Sequence, residues 1–218
     1  MKHLEELNIC GIFLLATEMS DADLRKYKKI GLPILVLDSF FYHGGECSVV
    51  IDNYDGIFQV VEHAKNMGHH KIGFLRSRIA NNNFKERYWG YKNALEELGL
   101  PFESAYVFEV GTGIDESYED MKKILEEKRE LPSILIAGND ILAIGAMRAL
   151  KEFGKRIPED ISITGFDDMP VSKMMDPPLT SVKIHIQQFG EKAIMQMMNL
   201  VEEKTEAHFS VRIGCELM

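Results

Sequence analysis

The chain has 218 residues, is 45% hydrophobic and carries a formal net charge of −9. That length and apolar content can bury one full core or two smaller ones, while the acidic balance and the scattering of Lys and Arg among glutamates exclude a nucleic-acid surface on these residues. No apolar run reaches the length of a membrane span, Met1 to Glu6 is too charged for a signal peptide, and three widely spaced cysteines (Cys10, Cys47, Cys215) read as reduced thiols of a cytoplasmic protein.

In chain order, Ile9 to Leu15 reads as a strand, Asp21 to Ile30 as a helix and Ile34 to Leu37 as a strand. Ser48 to Ile51 is a further strand, followed by a helix from Asn53 to Met67 that Gly68 ends. Lys71 to Leu75 is a strand, and a loop through Asn81, Asn82 and Asn83 leads to a helix from Phe84 to Leu98, closed by Gly99. Ala105 to Phe108 and Ile114 to Glu127 form the next strand and helix. The tail reads as a strand at Ser181 to Ile184, a helix from Gln187 to Glu203 and a last strand from His208 to Ile213. Strands that alternate with helices predict parallel sheets covered on both faces, an α/β fold.

The most informative stretch runs from Leu131 to Asp168. The apolar run Ile134 to Ala137 reads as a buried strand that stops at Gly138, after which Asn139 or Asp140 caps a helix ending near Phe153-Gly154. A second strand, Ile161 to Thr164, breaks at Gly165 and delivers Phe166, Asp167 and Asp168. Two strands thus present polar residues just past their carboxyl ends, where open parallel sheets bind small molecules.

Other chemistries find no support. His69 and His70 are adjacent, point opposite ways along a strand and are out of register with His63 and His185, so no metal site is expected; a cation near the preceding helix C-terminus explains them. The pair Met174-Met175 and the cluster Met195, Met197 and Met198 read as flexible packing. Gly111-Thr112-Gly113 lacks the third glycine of a dinucleotide fingerprint, and Asp115-Glu116 would repel phosphate. With no Walker loop, nucleophile elbow or cofactor motif, no cofactor and no catalytic residue are expected.

A series of phrases in order resembles the effector-sensing part of bacterial lactose-repressor/galactose-repressor transcription regulators, whose fold is that of periplasmic sugar-binding proteins. They are Cys10-Gly11-Ile12-Phe13-Leu14, Gly31-Leu32-Pro33-Ile34, Ile51-Asp52-Asn53-Tyr54-Asp55-Gly56 and Gly68-His69-His70-Lys71-Ile72-Gly73-Phe74. Arg87-Tyr88-Trp89-Gly90-Tyr91, Gly138-Asn139-Asp140, Ile157-Pro158-Glu159-Asp160, Gly165-Phe166-Asp167-Asp168 and Pro177-Pro178-Leu179-Thr180 follow.

The resemblance implies two lobes with an effector bound between them: residues 1–67 with about 184–213 in a first lobe, and 68–183 with about 214–218 in a second. It also implies truncation at both ends. No helix-turn-helix headpiece is found, Met1 matches a point near the helix before the sensor's third strand, and Gly214 to Met218 resembles a closing segment cut short. An incomplete first lobe would leave an uncovered sheet edge and exposed apolar surface. Family members dimerise side by side, so a homodimer is expected.

Carried over residue by residue, the resemblance makes Arg87, Asn139, Asp167, Phe166 and Asp55 the effector-binding set. Arg87 matches the position whose guanidinium grips effector hydroxyls, a planar donor fork reaching two oxygens at once; the alternative is an exposed arginine paired with Glu86 or Glu96. As a cleft residue it is expected to have no buried partner, so its removal should cost little stability. Asp167 matches the effector-binding aspartate, a carboxylate accepting from vicinal hydroxyls; the alternative, a turn or cap, suits Asp168 better. Asn139 either contacts effector or caps its helix, and Asp55 matches a cleft position. Phe166 and Trp89 can each present a ring to a sugar, although Trp89, beside Gly90, reads rather as core. Two departures bear on the ligand. Gly113 stands where many members place a stacking ring, and Arg76-Ser77, with Arg78 beyond, replaces a Ser-Gly pair, which points to a larger or anionic effector with a plain monosaccharide as the alternative.

The expected function is therefore the ligand-sensing core of a bacterial transcription regulator. It would take a small sugar-like effector and reach DNA only through a headpiece absent from this chain. A free-standing solute-binding protein of the same fold would need an export signal, and an α/β enzyme would need a nucleophile and base that the sequence does not offer.

Overall fold

The computed structural model describes residues 9–41, 46–79, 81–203 and 208–218. The stretch Met1–Glu6, expected not to be a signal peptide, lies outside them. The elements in chain order begin with β1 (Ile12–Leu15), α1 (Asp21–Lys28), β2 (Ile34–Leu37), β3 (Cys47–Ile51) and α2 (Asn53–Asn66). Next come β4 (Ile72–Ser77), α3 (Asn82–Glu97), β5 (Val107–Val110), α4 (Ile114–Glu126), β6 (Ile134–Ala137) and α5 (Asp140–Glu152). The chain then forms β7 (Ser162–Asp167), β8 (Thr180–Ile184), α6 (Ile186–Glu203), β9 (Ser210–Ile213) and β10 (Cys215–Leu217). It is an α/β protein with parallel sheets flanked by helices.

Two compact units are present. The first comprises Met1–Asp52, Asn81–Asn83 and His185–Gly214; the second comprises Asn53–Ala80, Phe84–Ile184 and Cys215–Met218. The first boundary thus falls at the start of α2, a helix earlier than the expected break after residue 67. Its cause is packing: the buried face of α2 carries Gly56, whose missing Cβ would sit 2.7 Å from the Phe166 ring, so α2 lies against β7 of the second unit.

In the first unit the sheet order is β1-β2-β3-β9, every pair parallel. Leu35, Val49, Ala193, Met197 and Leu200 pack on one face, Leu14, Ala16, Leu24 and Val36 on the other. A capping box starts α1: Ser20 Oγ accepts from the Asp23 N–H at 3.2 Å while Asp23 Oδ2 accepts from the Ser20 N–H. Among the described residues β1 is an edge strand, and Phe13 and Leu15 on it are 46% and 68% exposed.

The second unit holds a sheet in the order β10-β8-β7-β6-β4-β5, parallel throughout except for β10 against β8. Side chains alternate across a strand, and β4 shows the consequence. Leu75 enters the cluster built with α4 and α5 around Phe108, Met121, Leu135 and Leu142. Phe74 points to the opposite face and stacks on Tyr91 of α3 at 5.0 Å between ring centroids. The Tyr91 hydroxyl donates to the Ile72 carbonyl at 2.8 Å, and burial pushes its phenol pKa up.

Several local expectations shift. A 3-10 turn, Ser104–Tyr106, displaces β5 two residues beyond the expected start. Gly165 does not end β7, which runs on to Asp167, and β10 was not expected as a strand. Met197 is buried, but Met174, Met195 and Met198 are exposed rather than packed. Trp89 is not core either, because α3 turns Glu86, Arg87, Gly90, Tyr91, Ala94 and Leu95 inward and Trp89 outward.

The inward position of Gly90 is dictated by distance: a Cβ there would lie 2.7 Å from the Tyr54 carbonyl oxygen, a backbone atom that cannot swing aside. Gly90→Ala should therefore destabilise by about 1–3 kcal/mol through overpacking, against the roughly 1 kcal/mol that alanine gains over glycine in a helix. Thermal unfolding followed by circular dichroism should show a lower Tm; an unchanged or higher Tm would mean that α2 and α3 are not in contact there.

Candidate functional site

In the second unit β6 and β7 end side by side, and at their carboxyl ends three segments converge on one cation. Arg87, on the inward face of α3, is 5% exposed. Its Nε donates to Asn53 Oδ1 at 2.8 Å, Nη1 to the Gly138 carbonyl at 2.7 Å and Nη2 to Asp167 Oδ1 at 3.1 Å. The guanidinium carbon lies 3.7 Å from the centroid of the Phe166 ring, a desolvated cation–π contact. Asn53, the first residue of α2, also donates from Nδ2 to Glu86 Oε2 at 3.2 Å. The alternative expected for Arg87, an exposed residue paired with Glu86 or Glu96, does not hold, and the expectation that it has no buried partner is overturned. The local reason is helical spacing, which puts positions 86, 87, 90 and 91 on one face.

Asp167 stands last in β7 with φ 108, and Asp168 follows with φ 48. Both lie in the left-handed region that a residue with a side chain rarely enters, and such strain gathers at functional turns. The Asp167 side chain keeps 27% exposure while bonding Arg87, whereas Asp168 is nearly buried and pairs with Lys173 at 3.1 Å. Asp167 is thus the half-open carboxylate, and Asp168 the closed one.

The other expected residues divide. Asn139 is the N-cap of α5, its Oδ1 accepting from the Leu142 N–H at 3.0 Å, so its side-chain oxygen is committed to the helix. Phe166 is fully buried between Arg87 and the space left by Gly56, which closes its ring to a ligand; it supports the guanidinium instead. Asp55 is exposed on α2 and accepts from Gln59 Nε2 at 2.7 Å; it is not among the residues around Arg87. Asn53 and Glu86 were missed. An Asn opening a helix straight after a strand reads as a cap, and only the third dimension shows it facing an arginine far along the chain. In the first unit, Asp38 follows β2 at φ 55 and accepts from Thr17 Oγ1 at 3.1 Å.

The two guanidinium groups that suggested an anionic effector carry no surplus charge. Arg76 lies 4.9 Å over the Tyr88 ring and pairs with Glu109 at 3.4 Å. Arg78 pairs with Asp120 at 2.6 Å. Burial alone would raise the Asp120 carboxyl, but the Gly111 N–H and Arg78 outweigh it and hold its pKa below the ordinary range. Both cations are neutralised by carboxylates on neighbouring elements. The Thr112 and Gly113 N–H groups are likewise occupied, by Glu116 Oε2.

At the other end of the same sheet lies a cavity of about 200 Å³, lined by His63, Met67, His69, Ser162, Thr164 and Pro178 among others. Among the described residues no Asp, Glu, Lys or Arg lines it. Burial first, and then His63, lowers the His69 pKa, and its Nδ1 lies 2.8 Å from Ser133 Oγ. No cluster of three or more His, Cys, Asp or Glu suited to a metal occurs among the described residues. No helix there is long and apolar enough to cross a membrane.

Residues 61–218 match the family described as periplasmic binding protein-like domain. The chain is 29% identical to the HTH-type transcriptional repressor PurR of Mannheimia succiniciproducens, over 99% of this chain and 66% of that protein. It is 31% identical to PurR of Haemophilus influenzae, over 94% and 61% respectively. A solved sugar-binding transcriptional regulator of the LacI family from Escherichia coli, complexed with phosphate, superposes with a TM-score of 0.84 at 28% identity, covering 100% of this chain and 78% of the other. The chain therefore spans a little under two thirds of the length of these curated relatives.

The Arg87 cluster makes a stability prediction opposite to the first expectation. Arg87→Ala strips a buried charge network of its centre and should cost about 3 kcal/mol; Asn53→Ala should cost about 1–2 kcal/mol as a lost hydrogen-bond partner. Because the two share a bond, the double variant should lose less than the sum. Urea unfolding of the four proteins measures this cycle, and strict additivity would show that Arg87 and Asn53 are not in contact.

Proposed function

Because this chain belongs to the periplasmic binding protein-like domain family, in the form carried by LacI-family regulators, we propose that it senses a small neutral sugar or sugar derivative at the carboxyl ends of β6 and β7. The observation that carries this reading is the half-open Asp167 carboxylate held against a buried Arg87. Asp167 Oδ1 is oriented by Nη2 of Arg87, and the carboxylate keeps 27% exposure, through which it can accept from a ligand hydroxyl. Asn139 contributes its amide N–H₂, its oxygen being taken by the helix. Asp55 and Phe166 play no direct part. A neutral ligand suits a site whose nearby guanidinium groups already have carboxylate partners, and one solved relative is itself described as sugar-binding.

The protein acts in the cytoplasm as a homodimer and passes the presence of effector to a DNA-binding headpiece lying outside these residues. Its relatives are named as HTH-type repressors, and closed C2 pairs are the commonest way for such regulators to match a palindromic operator.

Two measurements test these statements. Calorimetric titration with D-ribose, D-glucose, cellobiose, glucose 6-phosphate and hypoxanthine should show binding by a neutral sugar. Asp167→Asn should weaken that binding at least tenfold, since a charged hydrogen bond contributes roughly 1.5–3 kcal/mol and about 1.4 kcal/mol is tenfold. Binding only by the phosphate or the purine, or an indifferent Asp167→Asn, would overturn the assignment. For assembly, light scattering should give twice the chain mass, and with a net charge of −9 the polypeptide alone should not shift duplex DNA at physiological salt. A monomer, or a salt-resistant shift, would contradict this.

A further inference from the structure

Behind Asp167, on the opposite face of β7 from Arg87, sits a second buried charge. Asp140, the first residue of α5, is fully buried together with Ser172 and Ser181. Its Oδ1 accepts from Ser181 Oγ at 2.5 Å; its Oδ2 accepts from Ser172 Oγ at 2.6 Å and from the Met169 N–H at 2.7 Å. Ser181 Oγ, whose O–H donates to Asp140, accepts from the Asp168 N–H at 3.1 Å. The carboxylate thus reaches the backbone of the turn twice, directly at Met169 and through Ser181 at Asp168. A Cβ on Gly165 would overlap the same carboxylate, so glycine is required there for Asp140 to lie flat against β7. The 3-10 turn that follows, Pro170–Met174, is closed on the same group by Ser172, whose carbonyl accepts from the Leu179 N–H at 2.9 Å.

The polar groups of this turn are therefore gathered by one side chain, and the two residues at positive φ, Asp167 and Asp168, stand immediately before the first amide it holds. A backbone in that region relaxes unless its surroundings over-determine it, and buried, fully satisfied networks are what rigidify a unique geometry. We infer that Asp140 is a positioning residue for the effector site: through Ser181, Ser172 and the Met169 amide it holds Asp167 in the left-handed conformation that presents its carboxylate to Arg87 and to ligand. This rests on the reading of Asp167 as the effector residue, and it assigns Asp140 no contact with ligand. It also replaces the helix-capping role expected for Asp140, which Asn139 fills.

The test uses the full chain and needs no ligand. Nuclear magnetic resonance reads amide hydrogen exchange at Asp168 and Met169, together with the guanidinium N–H signals of Arg87. In Asp140→Asn one acceptor becomes a donor, and exchange at Asp168 and Met169 should quicken at least tenfold. The Nη2 signal of Arg87 should lose its protection while Nε, bonded to Asn53, keeps it. Amides inside α5, from Ile144 to Leu150, should stay as protected as in the wild type, which separates this effect from general loosening. Ser181→Ala leaves Asp140 intact and should quicken Asp168 alone; it decides the matter if Asp140→Asn fails to fold. Unchanged exchange at Asp168 in a folded Ser181→Ala protein, or an unchanged Arg87 Nη2 signal in a folded Asp140→Asn protein, overturns the proposal. If the turn loosens as expected while Asp167→Asn binds the neutral sugars as the wild type does, the positioning role stands and the effector assignment falls.

Discussion

A guanidinium taken almost wholly out of water must find oxygens for its N–H groups inside the protein, because an unpaired buried charge is among the most expensive features a fold can carry. Arg87 meets this constraint by drawing one oxygen from each of three segments: the start of α2, the end of β6 and the end of β7. Much of the surrounding architecture follows. Helix α2 must come close enough for Asn53 to reach, which Gly56 and Gly90 allow by offering no Cβ to Phe166 or to the Tyr54 backbone. Phe166 must lie flat beneath the cation, which takes its ring out of any ligand's reach.

Strand β7 is then a partition between two buried charges of opposite sign. Its side chains alternate, so Phe166 faces the arginine while Gly165 faces the Asp140 carboxylate. Asp167, at the end of the strand, inherits a constraint from each side: its oxygen is held by Arg87, and the backbone that follows it by Asp140. Such double support keeps a side chain within a fraction of an ångström of one geometry on an otherwise irregular turn. The surface arginines nearby contribute differently. Arg76 and Arg78 are absorbed into ion pairs with Glu109 and Asp120 and leave no net positive charge for an anion.

Most of the α/β order was legible in the chain because alternating apolar runs and helix-ending glycines, such as Gly68 and Gly99, are local signals. Arg87 and Asp167 were each legible as matching family positions, but their bond to one another was not. What was not legible is which groups are buried. Arg87 looked like a cleft residue because arginine usually ends in water, and its burial depends on Asn53, which is 34 residues away in the chain. Asn139 and Asp140 were interchangeable as caps until the serines at 172 and 181 could be placed beside one of them. Gly165 looked like a strand end because a lone glycine in an apolar run usually marks a break, whereas here it clears space for a carboxylate. The break between the units fell before α2 rather than after it for the same reason: contact between Gly56 and Phe166 has no sequence signature.

Trp89 gives α3 a property unrelated to its packing. It is the chain's one tryptophan, it is 46% exposed, and it sits on the outer side of the helix whose inner side carries Arg87. Its indole emission therefore originates from a single place, two residues from the guanidinium and turned away from it. With its ring open to solvent, that emission reads the surroundings of one position on the outer side of α3. The protein thus carries an intrinsic optical reporter of α3, placed on the side of the helix away from the buried arginine.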